Sequence, residues 1–439
     1  MADLSSVERI YIEKPGTSQA TAQSTVEKPN LFKNRNFILL WLGQGTSLIG
    51  DQFNMIALPW LVLQLTGDSV ALGLVLALMG IPRAIFMLVG GALTDRFSQR
   101  TVMLASDIGR LVLTAALAGL ILYGHVEMWM LYAYALAFGT ISGIFLPASS
   151  SIVPKLVTRD ELQTGNSLVQ GTSQLSLFVG PVLAGAVIAF FAAGGAKSAM
   201  EGIGLAIAID ALTFVVSVAT LWLMKVDAGN TAKNDDIIGS IREGIVFVFG
   251  DPTLRALFVV LAAVNFLFVG PFLVGVPVIA NDRLVEGAAA FGLLMSAYGG
   301  GNLAGILASM SIKPKPSITG YLTMGIIALF GIGIIIVGSI TSTWIGCIVM
   351  AILGIFNGFL AIMLITMLQK IAPMAMMGRL MSLAMLASTG LVPVSQALSG
   401  FLIKYGVGEL FAACGLLIIV MAAGMLLLPE IRGIGSKLL

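Results

Sequence analysis

The chain has 439 residues, of which 58% are hydrophobic and only 10% charged, with a mean hydropathy of +0.99. A soluble domain carries about 25% charged residues, so this chain cannot build a water-compatible surface and its solvent is lipid. A formal net charge of +2 speaks against a nucleic-acid partner. One histidine and two cysteines leave no material for a usual zinc centre or disulfide framework.

Residues 1–33 are polar, lack the apolar run of a signal peptide, and read as a disordered cytoplasmic tail. A helix needs about 20 apolar residues to cross the hydrocarbon core. Twelve segments meet that length: 37–65, 70–93, 102–123, 128–153, 164–192, 202–225, 254–281, 288–311, 318–339, 343–369, 378–404 and 407–429. The expected fold is an all-α membrane protein of twelve transmembrane helices. Six fall in a first bundle, 34–225, and six in a second, 254–429. Between them, 226–253 is a polar cytoplasmic linker in which Ile237, Ile238, Ile241, Ile245, Val248 and Phe249 recur at helical spacing. That pattern predicts an amphipathic helix lying on the membrane surface. Residues 430–439 form a second cytoplasmic tail.

Lysines and arginines collect on the cytoplasmic side of membrane proteins. With the N-terminus inside, nineteen of the 24 fall in inner segments. Lys197, Arg283 and Lys404 fall outside, while Arg83 and Arg110 lie within spans. Both termini are therefore expected in the cytoplasm, in a multi-pass protein of the cell (inner) membrane. The halves also look duplicated. Gly-Ile-Phe at 143–145 returns at 354–356, and Pro181 of the fifth span matches Pro393 of the eleventh.

A charge inside a span costs about 2.5–3.5 kcal/mol, so each needs a partner or a task. Asp51, Arg83, Asp107, Arg110 and Asp210 all lie in the first half. In span one, Gln44, Ser47, Asp51 and Asn54 share a face by their spacing of three or four. Asp51, near mid-membrane, is the expected proton-coupling residue. Asp107 and Arg110 can pair along span three. Arg83, at a similar depth, is expected to join them in a network, and Asp210 is open to a helix-capping role. On span five, Asn166, Gln170 and Ser173 form a polar line. No catalytic constellation and no phosphate-binding loop are found, so the chain does not read as an enzyme and needs no cofactor or metal. His125 reads as a surface residue of an outer loop, and Cys347 and Cys414 as small core residues.

The run GALTDRFSQR, Gly91 to Arg100, resembles the signature loop between spans two and three of the major facilitator superfamily. Gly91, Asp95, Arg96 and Arg100 match; Ser98 and Gln99 depart from it. Further segments, among them FLPASSSIVPKLVTRDELQTGNSL, IDALTFVVS and GRLMSL, resemble the branch of macrolide-efflux and siderophore-export proteins. The resemblance implies two halves that rock about a central site. The loop would act as a gating latch, with Asp95 facing the N-terminal end of span eleven and Arg96 and Arg100 tying down helix ends or lipid phosphates. Span five also resembles the superfamily's antiporter motif. Gly180, Pro181 and Gly185 match it, whereas Ser176 and Ala184 stand in for glycines.

The leading expectation is a monomeric secondary exporter that exchanges protons for a hydrophobic or amphipathic small molecule. Its expected cavity is lined by Gln44, Asn54, Asn166, Gln170, Asn265, Asn302 and Asn357, with methionines suited to a promiscuous apolar pocket. Its partners are that substrate, protons and membrane lipids. A lipid or lysolipid flippase of the same fold, and a non-transporting scaffold or sensor, are the alternatives.

Overall fold

The computed structural model describes residues 31–192, 194–225, 237–312, 314–373 and 376–434. Most of the first expected tail and the end of the second lie outside those residues, as does the polar start of the linker. The first half comprises α1 (Arg35–Thr66), α2 (Ser69–Arg96), α3 (Gln99–Leu122), α4 (Met128–Leu156), α5 (Leu162–Ala192) and α6 (Ala196–Leu223). A short α7 (Ile237–Gly250) precedes the second half: α8 (Pro252–Arg283), α9 (Ala288–Ser311), α10 (Thr319–Val337), α11 (Thr343–Ile371), α12 (Met377–Thr389), α13 (Val392–Leu402) and α14 (Val407–Leu426). A single turn, α15 (Pro429–Arg432), follows. Among the described residues, twelve helical segments are long and apolar enough to cross a membrane, with α12 and α13 together forming the eleventh.

Local chemistry sets the boundaries. Asn34, Asp68, Ser98 and Asp251 each accept a backbone N–H from the first turn of α1, α2, α3 and α8, occupying donors that a helix start leaves unpaired. Gly67 ends α1 in the left-handed region at φ 61°. The Ser98 cap explains why α3 starts at once where the signature pattern has a glycine. It also corrects the expected gating loop. The helix α2 runs through Gly91, Asp95 and Arg96, so only Phe97 and Ser98 separate two spans. Apolar counting stopped early because the last turn of α2 is polar.

Large apolar side chains on the outside show that lipid is the solvent. Trp129, Trp222 and Trp344 are more than half exposed, each within two residues of a helix end, and Tyr123 and Tyr405 lie in the turns. These are the places where amphipathic rings meet headgroups.

The halves are joined by two antiparallel seams, α2 against α13 and α5 against α9. Gly80 of α2 packs on Pro393 of α13, and Gly292 of α9 packs on the Pro181 carbonyl of α5. Gly80 and Gly292 are separated by the same 212 residues as Pro181 and Pro393. One contact is thus the repeat of the other, the structural form of the duplication. Hydrogen bonds also join the halves at the end of the bundle that carries Gly67, one between α1 and α8 and one in the α2–α13 seam. Gln64 donates to Asn281 at 2.9 Å and Ser69 to the Gly400 carbonyl at 2.9 Å.

The eleventh span is broken. Helix α12 stops at Thr389 and α13 begins at Val392, with Pro393 near its start. Proline has no N–H to continue the ladder and favours the first turn of a new helix. Below the break, α7 rests on α12 and α8, and Glu243 of α7 pairs with Arg379 of α12. Val248 of α7 is buried, whereas Ile245 and Phe249 are exposed, leaving an apolar face uncovered by protein.

Candidate functional site

Helix α1 is the most enclosed of the twelve spans and is flanked by α2, α4, α5, α6, α8 and α9. Its polar stripe faces α6, where Asp210, Thr213 and Ser217 recur three or four residues apart on a buried face. Asn54 donates its side-chain amide to Asp210 Oδ2 at 3.0 Å and to the Tyr134 hydroxyl. That hydroxyl lies 3.4 Å from Thr114. Asp210 therefore caps no helix; it accepts from an asparagine side chain on α1.

One turn away lies the ion pair. Asp107 takes Arg110 on one oxygen and the Ser217 hydroxyl, at 2.6 Å, on the other. The Arg110 guanidinium also sits between two rings, 4.0 Å from the Phe145 centroid and 4.7 Å from that of Phe214, a favourable place for a desolvated cation. Phe145 belongs to the repeated Gly-Ile-Phe. The third member of the network is Asp51, whose carboxylate is 4.0 Å from Arg110. The expected third member, Arg83, is instead exposed and within electrostatic range of Asp51 and Arg110. Equal depth on neighbouring helices did not fix which way α2 turns that side chain.

Asp51 differs from its stripe. Gln44, Ser47 and Asn54 are buried, while the Asp51 side chain is 36% exposed. Asp51 therefore keeps part of its side chain open where its stripe neighbours are closed. Asn166 and Gln170 of α5 are exposed as well.

In the second half, Phe268, Phe272, Tyr298 and Phe330 pack together within the apolar core, with neighbouring ring centroids 4.6–5.8 Å apart, and only Tyr298 is partly exposed. Of its three expected amides, Asn265 spends its donor on the Leu261 carbonyl of its own helix. Asn302 donates to Asn357 at 2.8 Å and accepts from Gln174 of α5 at 3.0 Å. Gln174 was missed by sequence reasoning, although it lies one turn beyond Gln170. This amide chain spans both halves.

In the antiporter-like stretch, Gly180 packs on Gln52 of α1, and Pro181 and Gly185 pack on α9. Just past Pro181, the Val182 N–H donates to Ser296 of α9 at 2.8 Å. Of the signature residues, Arg100 donates to the Leu221 and Trp222 carbonyls at 2.6 and 2.8 Å, holding the last turn of α6. The side chains of Asp95 and Arg96 are outside the described set. His125 is exposed, Cys414 buried and Cys347 partly buried.

Two six-helix repeats closed by symmetric glycine–proline contacts around an internal polar site define a membrane transporter rather than an enzyme. A model of the Major Facilitator Superfamily matches residues 40–395, and the chain belongs to that superfamily. It is 23% identical over 411 residues to the multidrug efflux pump Tap of Mycolicibacterium fortuitum, covering 91% of this chain and 97% of that one. It is 29% identical over 236 residues to the uncharacterized MFS-type transporter YfiS of Bacillus subtilis (strain 168). That match spans about half of each protein, 52% and 53%. The fold is shared with the crystal structure of a bacterial homologue of the iron transporter ferroportin in an inward-facing state. There the TM-score is 0.68 at 17% identity, covering 89% of this chain and 98% of that one.

Proposed function

We propose that this transporter is a proton-coupled exporter of hydrophobic or amphipathic organic molecules, working by alternating access in the cell membrane as a monomer. The observation that carries the reading is the partly exposed side chain of Asp51 at the middle of the most enclosed helix. A partly solvated acid inside the bundle, beside Arg110, is suited to exchanging a proton while an apolar molecule is carried past it. The similarity to a multidrug efflux pump over nearly the whole chain supports the direction.

In this reading the first bundle carries the proton and the second supplies the apolar wall. Gln44, Asn54, Asn166, Gln170, Asn265, Asn302 and Asn357 offer the polar contacts. Pro181 and Gly185 form part of the seam that must part when the other side opens, and Gly180 seats α5 against α1 behind it. Gly91, Asp95, Arg96 and Arg100 stand at the opposite gate. With both termini in the cytoplasm, the seams close the outer side and this conformation opens inward.

The test uses everted vesicles with ethidium as probe and an imposed proton gradient. Asp51→Asn copies the protonated carboxyl at nearly constant volume. It is expected to abolish uphill export while leaving passive exchange in place. Uphill export by the variant with an unchanged pH dependence removes Asp51 from the proton path.

Orientation has its own check. In a chain freed of Cys347 and Cys414, single cysteines at Ser98 and Lys315 are expected to react with an impermeant thiol reagent only from the cytoplasmic side. One at His125 should react only from outside. Labelling of Ser98 from outside inverts the topology.

A further inference from the structure

Asp210 is the one acidic side chain in the polar cluster that has neither a cation nor solvent. It is fully buried at 0% exposure, and its Oδ1 has no hydrogen-bond partner. Its other oxygen accepts from Asn54. A buried carboxylate with an unpaired oxygen is among the costliest groups a protein can hold, and taking up a proton removes the cost.

Every helix packed against α6 leaves that charge uncompensated. From α1 comes Asp51, another acid, and from α3 come Asp107 and Arg110. Helix α5 carries no ionisable residue. Tyr134 of α4 reaches the site through Asn54 as a neutral hydroxyl. Arg110 is committed: it pairs with Asp107, lies 4.0 Å from Asp51, and is held between Phe145 and Phe214. Three carboxyl groups, Asp51, Asp107 and Asp210, thus share two guanidinium groups, and one of these, Arg83, is exposed. Asp107 has donors on both oxygens, and Asp51 has both solvent and Arg110. The leftover negative charge falls on Asp210.

We propose that Asp210 is a neutral carboxylic acid in this conformation, a second proton-holding group enclosed behind the exposed Asp51. The proton sits on Oδ1, and Oδ2 is the carbonyl that accepts from Asn54. This deepens the proton-exchange reading and rests on it for its purpose: one acid meets solvent while the other stores a proton out of reach. Movement of the proton breaks the O–H bond at Asp210 and forms one at the Asp51 carboxylate, leaving the net charge of the cluster unchanged.

The experiment is infrared difference spectroscopy on the purified full-length protein in lipid nanodiscs, in H2O and D2O at neutral pH. The wild type is expected to show the carbonyl stretch of a protonated carboxyl group, shifted on deuteration. Asp210→Asn should lose that band completely, and Asp51→Asn should keep it. An unchanged band in Asp210→Asn overturns the proposal. Should Asp210→Asn fail to fold, Asn54→Ala serves instead: it removes the donor to Oδ2, so the band must move to higher frequency, and a stationary band overturns the proposal. A band that behaves as expected, in a protein whose vesicles show no proton-driven export, overturns the coupled-export reading and leaves Asp210 as a stored acid.

Discussion

Truncating Asp107 to alanine is expected to cost about 3–5 kcal/mol of stability, because it strands a buried cation. Arg110 is only 3% exposed, and its Nε already has no partner. Without Asp107, its nearest remaining carboxylate is Asp51 at 4.0 Å, and Ser217 loses its acceptor. The ring contacts with Phe145 and Phe214 replace only part of the loss. The measurement is thermal unfolding followed by a thiol-reactive dye, with buried Cys414 as the reporter. The midpoint should fall by several degrees in Asp107→Ala and by less in Asp107→Asn, which keeps a polar partner. Replacing both members, Asp107→Leu with Arg110→Met, should recover part of the stability, since two apolar groups leave no stranded charge. A wild-type midpoint for Asp107→Ala would mean that neither the pair nor the Asp107–Ser217 bond contributes to stability.

Gly292→Val is expected to abolish transport through conformation rather than folding. A Cβ at that position would lie 2.4 Å from the Pro181 carbonyl oxygen and 3.0 Å from the Gly185 Cα. Both are backbone, which cannot step aside as a flexible side chain would. Valine is compatible with α9 itself, so the clash exists only while α9 lies against α5. Overpacking of this kind costs about 1–3 kcal/mol, which shifts a two-state ratio by about 5- to 150-fold. Paramagnetic labels on Thr66 and Lys404, flanking the companion seam, should report a longer distance in the variant. Gly119→Ala is the control, because nothing lies within 4 Å of a Cβ there; it should transport normally. A wild-type distance distribution in Gly292→Val would show that this contact does not hold the two halves together.

The sequence showed best what depends on one helix alone. The twelve spans follow from apolar length, and the Asp107–Arg110 pair from a spacing of three. The stripe of Asp210, Thr213 and Ser217 was there to be read by the same rule and was passed over. What escaped needed rotation and depth across different helices. Asn54 and Asp210 are 156 residues apart, and nothing in spacing announces that α1 and α6 face each other with those two residues level. Arg83 has the right depth for the network, but its side chain is exposed and makes no ion pair within 4.0 Å with the described acids. The gating stretch was read as a loop because hydropathy falls at Thr94, although arginine is a good helix former and threonine or aspartate costs a helix no more than about 0.7 kcal/mol. The break in span eleven had a visible signal, Pro393, yet the matching Pro181 sits inside an unbroken α5, so proline alone does not decide continuity.

That break divides one membrane crossing into two rods with separate attachments. The upper rod, α13, is fastened to the other half of the protein through Pro393 on Gly80 and through Gly400 on Ser69. The lower rod, α12, is tied by Arg379 to Glu243 on the strap that links the halves covalently. Thr389 to Val392 is therefore a joint. A pull on the strap reaches the lower rod directly, while the upper rod stays fastened, so the two ends of the same crossing need not move at the same moment.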